Sequence, residues 1–373
     1  MRRTHFDVVI VGGGIVGTAC AAEFSESLKR TILIEPATIG GGATAAGMGH
    51  LAVMDDSPAQ FALTRYSQLL WKQLVPRLPE DVEYSPCGAL WIAADEFEMA
   101  EVHRKFAYYS ERGVPVEILD SQALGEAEPN LRLGMAGALL MRDDAVVYSP
   151  AAARFFMEYS QSRSVHLRIG VSATKVAENR VELSDGSIID ADYIVLANGT
   201  EATELVPGLS MQPRKGHLVI TERYPGFVNH QLIELGYLKS AHSVSTDSVA
   251  FNVQPRRTGQ LLIGSSRQFG TNDPVAEESM IHKMLARAME YMPGLGELQS
   301  IRTWAGFRAA TPDKLPLIGL HPDYKSIYLA TGHEGLGIST CLATARLIVD
   351  AVLERPSEID CEPYLPSRVF HHV

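Results

Sequence analysis

Gly12-Gly13-Gly14-Ile15-Val16-Gly17, followed by an acid at Glu35, is the residue set that a pyrophosphate and a ribose would need. Gly12 permits a tight turn. Gly14 lets the backbone approach a pyrophosphate with no Cβ in the way, and Gly17 lets a helix pack close to a strand. Ile15 and Val16 complete the cradle. The N-terminus of the following helix offers N–H groups and a partial positive charge to the phosphates. Glu35, with Pro36 beside it, can accept hydrogen bonds from both hydroxyls of an adenosine ribose. Its charge would repel a 2′-phosphate, which argues against an NADP-type ligand.

The elements that must position these residues are legible around them. Phe6 to Val11 reads FDVVIV, an apolar β-branched run of strand length. Thr18 to Leu28 is Ala-rich and predicts a helix. Thr31 to Ile34 predicts a second strand that ends in Glu35. Glu35 falls 18 residues after Gly17, close to the ~20 of a dinucleotide-binding βαβ unit. A bare GxGxxG is a weak signal; one inside strand, turn, helix, strand and acid is specific.

A nicotinamide dehydrogenase would resume alternating helices and strands after Glu35. Here Gly40-Gly41-Gly42-Ala43-Thr44-Ala45-Ala46-Gly47-Met48-Gly49-His50 follows, a second small-residue loop suited to wrapping a ligand. With the opening motif it resembles the FAD-binding start of the D-amino acid oxidase, glycine oxidase and sarcosine oxidase superfamily, which carries a "GG-x-T/S-x-A-A-G-M" stretch there. The resemblance implies FAD, with Ala43, Thr44, Ala46, Gly47 and Met48 lining the pyrophosphate and flavin. Tyr193 to Gly199 resembles that superfamily's "VVxATG" strand, which puts Ala197 and Gly199 at the cofactor, with Asn198 where Thr or Ser is common. Upstream, the stretch from Val165 to Val176 implies a backbone contact to adenine at Ala173 or Val176. Val181 to Ile189 reads as a hairpin turning at Asp185-Gly186.

The C-terminal third resembles glycine-oxidase-like enzymes most specifically. Thr303-Trp304-Ala305-Gly306-Phe307-Arg308 is followed by Thr311-Pro312-Asp313, by Pro316 to Gly319, and by Thr331-Gly332-His333-Glu334-Gly335-Leu336-Gly337-Ile338. Ile327 to Ala330 predicts a strand and Ser339 onward an Ala/Leu-rich helix. Gly332, His333, Glu334, Gly335, Leu336, Gly337, Ile338 and Ser339 read as a second strand–turn–helix with free N–H groups, and the resemblance implies that these are available to the flavin ring. Such a helix N-terminus would stabilise an anionic reduced flavin.

The resemblance places Arg308 at the position that binds an amino acid carboxylate, and a guanidinium fork matches a carboxylate with two parallel hydrogen bonds. Arg267, in Leu261 to Phe269, is a second candidate, facing either the pocket or an outside acid. His50 and His333 lie close to the expected flavin. Glycine oxidase has a pocket tyrosine where this chain has Asn252, so that role does not carry over. Lys215-Gly216-His217 matches a "KG" turn between domains. Covalent attachment in sarcosine oxidases uses a Cys just after the Arg308 position. Here Ala309 and Ala310 follow, so the implied FAD is noncovalent. The implied chemistry is oxidation of a Cα–N bond by hydride transfer to flavin N5, which needs an anchored carboxylate and a neutral amine but no dedicated base.

The fold class expected is α/β, α+β when the whole chain is counted. It combines a Rossmann-like FAD domain of the glutathione-reductase type (residues 1–80, 146–217 and 300–373) with a discontinuous mixed-sheet substrate domain (81–145 and 218–299). Gly88 to Ala93 and Val249 to Ser265 predict strands of that second domain; Phe97 to Arg112 and Glu277 to Tyr291 predict amphipathic helices. The loop GATAAGMGHLAVMDDSPAQFALTRYS and the segment LIGSSRQF resemble bacterial D-hydroxyproline dehydrogenases and the β subunits of opine oxidase and proline dehydrogenase. That resemblance implies cis-4-hydroxy-D-proline as substrate. It also implies an electron acceptor other than oxygen, and either a hetero-oligomer with electron-transfer subunits or a homo-oligomer. A glycine, sarcosine or D-amino acid oxidase, and an electron-relay subunit, stay open.

Composition narrows the partners. The 373 residues suggest about two domains. Thirty-three Lys and Arg against 44 Asp and Glu give a formal charge of -11, which disfavours nucleic acid and anionic membrane surfaces. The four cysteines form no CxxC pair, so neither a metal site nor a redox dithiol is expected. Arg2 and Arg3 before an apolar run imitate a signal peptide, but Asp7 and three glycines interrupt it. No stretch reaches the ~18 apolar residues of a membrane span. A cytoplasmic location is expected.

Overall fold

The computed structural model describes residues 3–236 and 247–370, so Arg2 lies outside the described residues. The apolar runs sort into two eight-stranded sheets. The first runs β17 (Leu317–Leu320), β18 (Ile327–Thr331), β11 (Ile188–Leu196), β1 (Arg3–Val11), β2 (Thr31–Glu35) and β8 (His166–Ile169), with β10 (Arg180–Leu183) and β9 (Ala173–Ala177) attached through β11. From β18 to β8 the pairings are parallel. A parallel sheet is covered on both faces, which is why Val8, Val9 and Ile10 are all apolar and fully buried. The helices Ile15–Phe24, Pro58–Leu74, Ser149–Gln161 and Gly337–Val352 pack together on one side, with Trp71 against Phe156.

The second sheet runs β16 (Ser300–Ala310), β12 (Gln212–Arg223), β15 (Gln260–Arg267), β14 (Ser248–Pro255), β13 (Gln231–Glu234), β4 (Ala89–Ala93), β6 (Gly137–Met141) and β5 (Val116–Asp120). Among the described residues only β13 and β4 pair in parallel in this sheet. Leu232, Phe251 and Val253 turn to a core closed by the Glu278–Tyr291 helix, where Phe251 stacks on Tyr291 at 4.5 Å. Ile233 and Asn252, opposite each other in the register, face the other way. A small third ladder joins β3 (His50–Leu51) to β7 (Ala145–Val146). The two multi-strand mixed sheets with their helices are the α/β fold expected.

Several local expectations shift. The first helix begins at Ile15, because Gly14 already takes the extended N-cap conformation, and it ends at Phe24 rather than Leu28. The 165–176 stretch is two strands, broken at Gly170 with φ +85°. The 249–265 stretch does give the strands expected, β14 and β15, joined in a hairpin that turns at Gly259 with φ +84°. The "KG" turn expected at Lys215–His217 is the interior of β12. Gly216 sits there because a Cβ would fall 2.7 Å from the Arg308 guanidinium crossing it. The strand Ser300–Ala310, expected with the first segment set, hydrogen-bonds into the second sheet along β12.

One buried acid ties the site's approach to the scaffold. Asp144 Oδ1 accepts from the Val53 backbone N–H at 3.3 Å and from Gln68 Nε2 at 3.0 Å. Burial pushes its carboxyl up to about 8, the Val53 bond opposing. The folded chain therefore keeps a proton that the unfolded chain releases near pH 4, and stability falls as pH rises from about 4 to about 8. Asp144→Asn should flatten that slope. Urea unfolding should find wild type losing up to about 4 kcal/mol more than the variant between pH 5 and 8. Equal losses would show that the acid ionises freely.

Candidate active site

A cavity of about 1000 Å³ runs between the two sheets. At one end the Glu35 carboxylate accepts from the Gly13 N–H at 2.7 Å and the Ala37 N–H at 2.8 Å, which holds it at the wall beside Pro36. Ala173 lines the same cavity; Val176 is buried in the core beneath the first sheet, so of the two adenine candidates only Ala173 is within reach. Gly12 makes the turn at φ +105°. Gly17 does not line the cavity: a Cβ there would fall 2.0 Å from the Gly12 carbonyl oxygen, so the helix rests on the turn itself.

The small-residue loop is clamped from three sides. Thr44 Oγ1 accepts from the Ile15 N–H at 2.9 Å, and Ser149 Oγ donates to the Thr44 carbonyl at 2.8 Å. A Cβ on Gly306 would lie 2.2 Å from the Ala46 Cβ, and one on Gly47 would lie 2.7 Å from Ile338 Cδ1. Ala43, Thr44, Ala46, Gly47 and Met48 all line the cavity, as do Gly12, Gly14, Ile15, Val16, Ala197 and Gly199.

The C-terminal turn closes the other side, with Gly332, His333, Glu334, Gly335, Leu336, Gly337 and Ile338 on the wall. Ser339 is not on the wall. Its Oγ donates to the His50 carbonyl at 2.8 Å and accepts from the Ala52 N–H at 3.2 Å, which ties the helix to β3. His333 is buried, its Nε2 3.0 Å from Thr344 Oγ1, and burial pulls its pKa down to about 4. Glu334, at φ +53°, pairs with the buried Arg214.

The candidate substrate residues converge where the sheets meet. Arg308 Nη1 donates to the Ser266 carbonyl at 2.9 Å, and the guanidinium lies between Gly216 and Gly335. Arg267, at the end of β15, and Asn252 line the same cavity. His50 Nδ1 lies 2.8 Å from Gln231 Nε2 and accepts its proton. Burial lowers the His50 pKa to about 4, Gln254 opposing, so the ring is neutral with its proton on Nε2. The sequence reading missed Trp91, Gln231, Ile233 and Ser265, which also line this end. Among them only Gln231 left a signal, a polar residue opening the otherwise apolar run Gln231–Ile233.

These residues fit a flavin dinucleotide. The Ile15–Phe24 and Gly337–Val352 helices point their N-termini at one cavity, and neither N-cap, Gly14 or Leu336, has a capping side chain. A Cβ on Gly14 would meet only Thr44 Oγ1, at 3.3 Å, so that the cradle is open toward the cavity. An acidic acceptor lies at one end and cations at the other.

The family model for FAD dependent oxidoreductases, DAO, matches residues 7–351. The chain belongs to the DAO family. Glycine oxidase from Geobacillus kaustophilus is 28% identical over 390 residues, covering 98% of both chains. Glycine oxidase from Pseudomonas aeruginosa is 28% identical over 386 residues, covering 96% of this chain and 98% of its own. The crystal structure of the Geobacillus enzyme superposes with a TM-score of 0.88 at 25% identity, covering 99% of each chain. L-proline dehydrogenase from P. horikoshii shares the fold, with a TM-score of 0.87 at 22% identity over 98% of each chain. This DAO chain is an FAD-dependent oxidoreductase. Among the described residues no cysteine lines the cavity, so no thiol is placed to link the flavin. No helix among them is long and apolar enough to cross a membrane.

Proposed function

We propose that the substrate is a cyclic imino acid, cis-4-hydroxy-D-proline first, oxidised to a pyrroline carboxylate with an acceptor other than oxygen. The observation that carries the reading is the Arg308 guanidinium, held between two glycines on a cavity that reaches Trp91, Ile233 and Asn252 of the second sheet. Bound FAD supplies the hydride acceptor. Arg308 binds the substrate carboxylate through its fork and sets the position of Cα. Arg267 adds a second cation on the wall. Both guanidinia disfavour an ammonium beside them, so the substrate nitrogen sheds its proton on binding. The neutral rings of His50 and His333 leave that balance undisturbed. Trp91, Ile233 and Leu218 supply an apolar wall that excludes water from the reacting carbon.

The domain division is part of the same proposal. Residues 1–80, 146–217 and 300–373 hold FAD, residues 81–145 and 218–299 face the substrate, and β12 and β16 run along the border. The likeness to glycine oxidases favours a second reading, oxidation of glycine, sarcosine or a D-amino acid by oxygen. The test is anaerobic addition of cis-4-hydroxy-D-proline, D-proline, sarcosine, glycine and D-alanine to the purified chain while the flavin band is recorded. Bleaching by the hydroxylated imino acid, with slow recolouring in air, is expected and points to partner subunits that take the electrons. Bleaching by glycine or sarcosine with fast recolouring would replace the proposal with the second reading. A flavin that none of them bleaches would overturn both.

A further inference from the structure

Three residues on adjacent strands of the second sheet belong to the cavity wall, and each carries a buried oxygen that has no partner among the described residues: Ser265 Oγ on β15, Asn252 Oδ1 on β14 and Gln231 Oε1 on β13. Ser265, Asn252 and Gln231 are 5%, 8% and 0% exposed, so bulk water does not reach them freely. Buried polar oxygens without a partner are rare, and each disfavours the folded state until something bonds to it. The Gln231 oxygen is set by its other end, because the Nε2 group is spent on His50 Nδ1.

We infer that this row is a subsite for a hydroxyl group on the substrate, distinct from the groups that hold its carboxylate and amine; the inference rests on the amino-acid reading proposed above. The row starts beside the carboxylate anchor, since Arg308 donates to the carbonyl of Ser266, next to Ser265. It then crosses to the second strand away, which at about 4.8 Å per strand is roughly 10 Å. The carboxylate and amine of an α-amino acid share one carbon, so both are met near Arg308. The oxygens of Asn252 and Gln231 lie farther along, where glycine has no atoms and a hydroxylated ring has a donor. A site built of hydrogen-bond acceptors rejects the analogue that lacks the donor, because its own groups are then left unpaired.

Calorimetric titration of the FAD-loaded protein tests this with 4-hydroxytetrahydrofuran-2-carboxylate and its deoxy parent, which have no amine to oxidise. Wild type should bind the hydroxylated acid about 10- to 100-fold more tightly. Gln231→Leu and Asn252→Leu should each shrink that ratio, and Asn252→Asp, which keeps an acceptor, should preserve it. Equal affinities in wild type, or a ratio unmoved in both leucine variants, would overturn the subsite. A preserved ratio in a protein whose flavin no amine bleaches would leave the hydroxyl subsite standing and remove the amine reading instead.

Discussion

Arg308→Met should keep the yellow, folded protein and lose on the order of 10²- to 10³-fold or slightly more in kcat/KM, the equivalent of about 3–5 kcal/mol for a buried charge pair left with one partner. The methionine keeps an unbranched stem like the inner part of the arginine's but offers neither charge nor donors. Arg308→Lys keeps the charge and loses the fork, so its deficit should be smaller, on the order of 10- to 100-fold. Arg308 also donates to the Ser266 carbonyl, so some of the loss could come from a shifted β15. The flavin spectrum and the affinity for a plain carboxylate separate the two sources. A carboxylate that binds the Met variant within about threefold of wild type would remove Arg308 from the anchoring role.

The second large effect belongs to Gly17. Gly17→Ala should give a colourless protein, with FAD affinity down more than about 100-fold. A Cβ at that position meets the Gly12 carbonyl oxygen at 2.0 Å, backbone that cannot swing away as a side chain can. The helix must lift off the turn, and its N-terminus then leaves the phosphate cradle. Gly113→Ala is the matched control: its φ is +67°, yet nothing lies within 4 Å of the added carbon. That variant should bind FAD normally and lose only about 1 kcal/mol from the strained φ. Equal FAD retention in both would detach the packing of Gly17 from cofactor binding.

The cradle was legible in the sequence because its signal is local. Strand, glycine turn, helix and Glu35 lie within 30 residues, and each position has one backbone task. Arg308 was legible through the family resemblance, whose pattern runs from Trp304-Ala305-Gly306 before it to Gly332–Ile338 after it. The substrate wall was not. Trp91, Gln231 and Ser265 come from three strands far apart in sequence, and each reads as an ordinary strand residue until the register places it. Lys215–His217 shows the converse, a glycine that imitates a turn. Its absent Cβ serves a guanidinium arriving from β16, which local chemistry does not announce.

The order of strands in the first sheet bears on how the molecule is made. β1 lies between β2 and β11, yet β11 is synthesised more than 170 residues after it, and β18 beyond β11 later still. Of the two helix ends that point into the cavity, one starts at residue 15 and the other at residue 337. A nascent chain therefore carries its glycine motif through about 320 further residues of synthesis without the opposite wall. Until then Val8 and Ile10 of β1 lack the part of their apolar cover that the helix starting at residue 337 supplies. Flavin uptake, in consequence, marks a chain synthesised past residue 352, and the yellow colour of a preparation measures how many of its chains have the Gly337–Val352 helix in place.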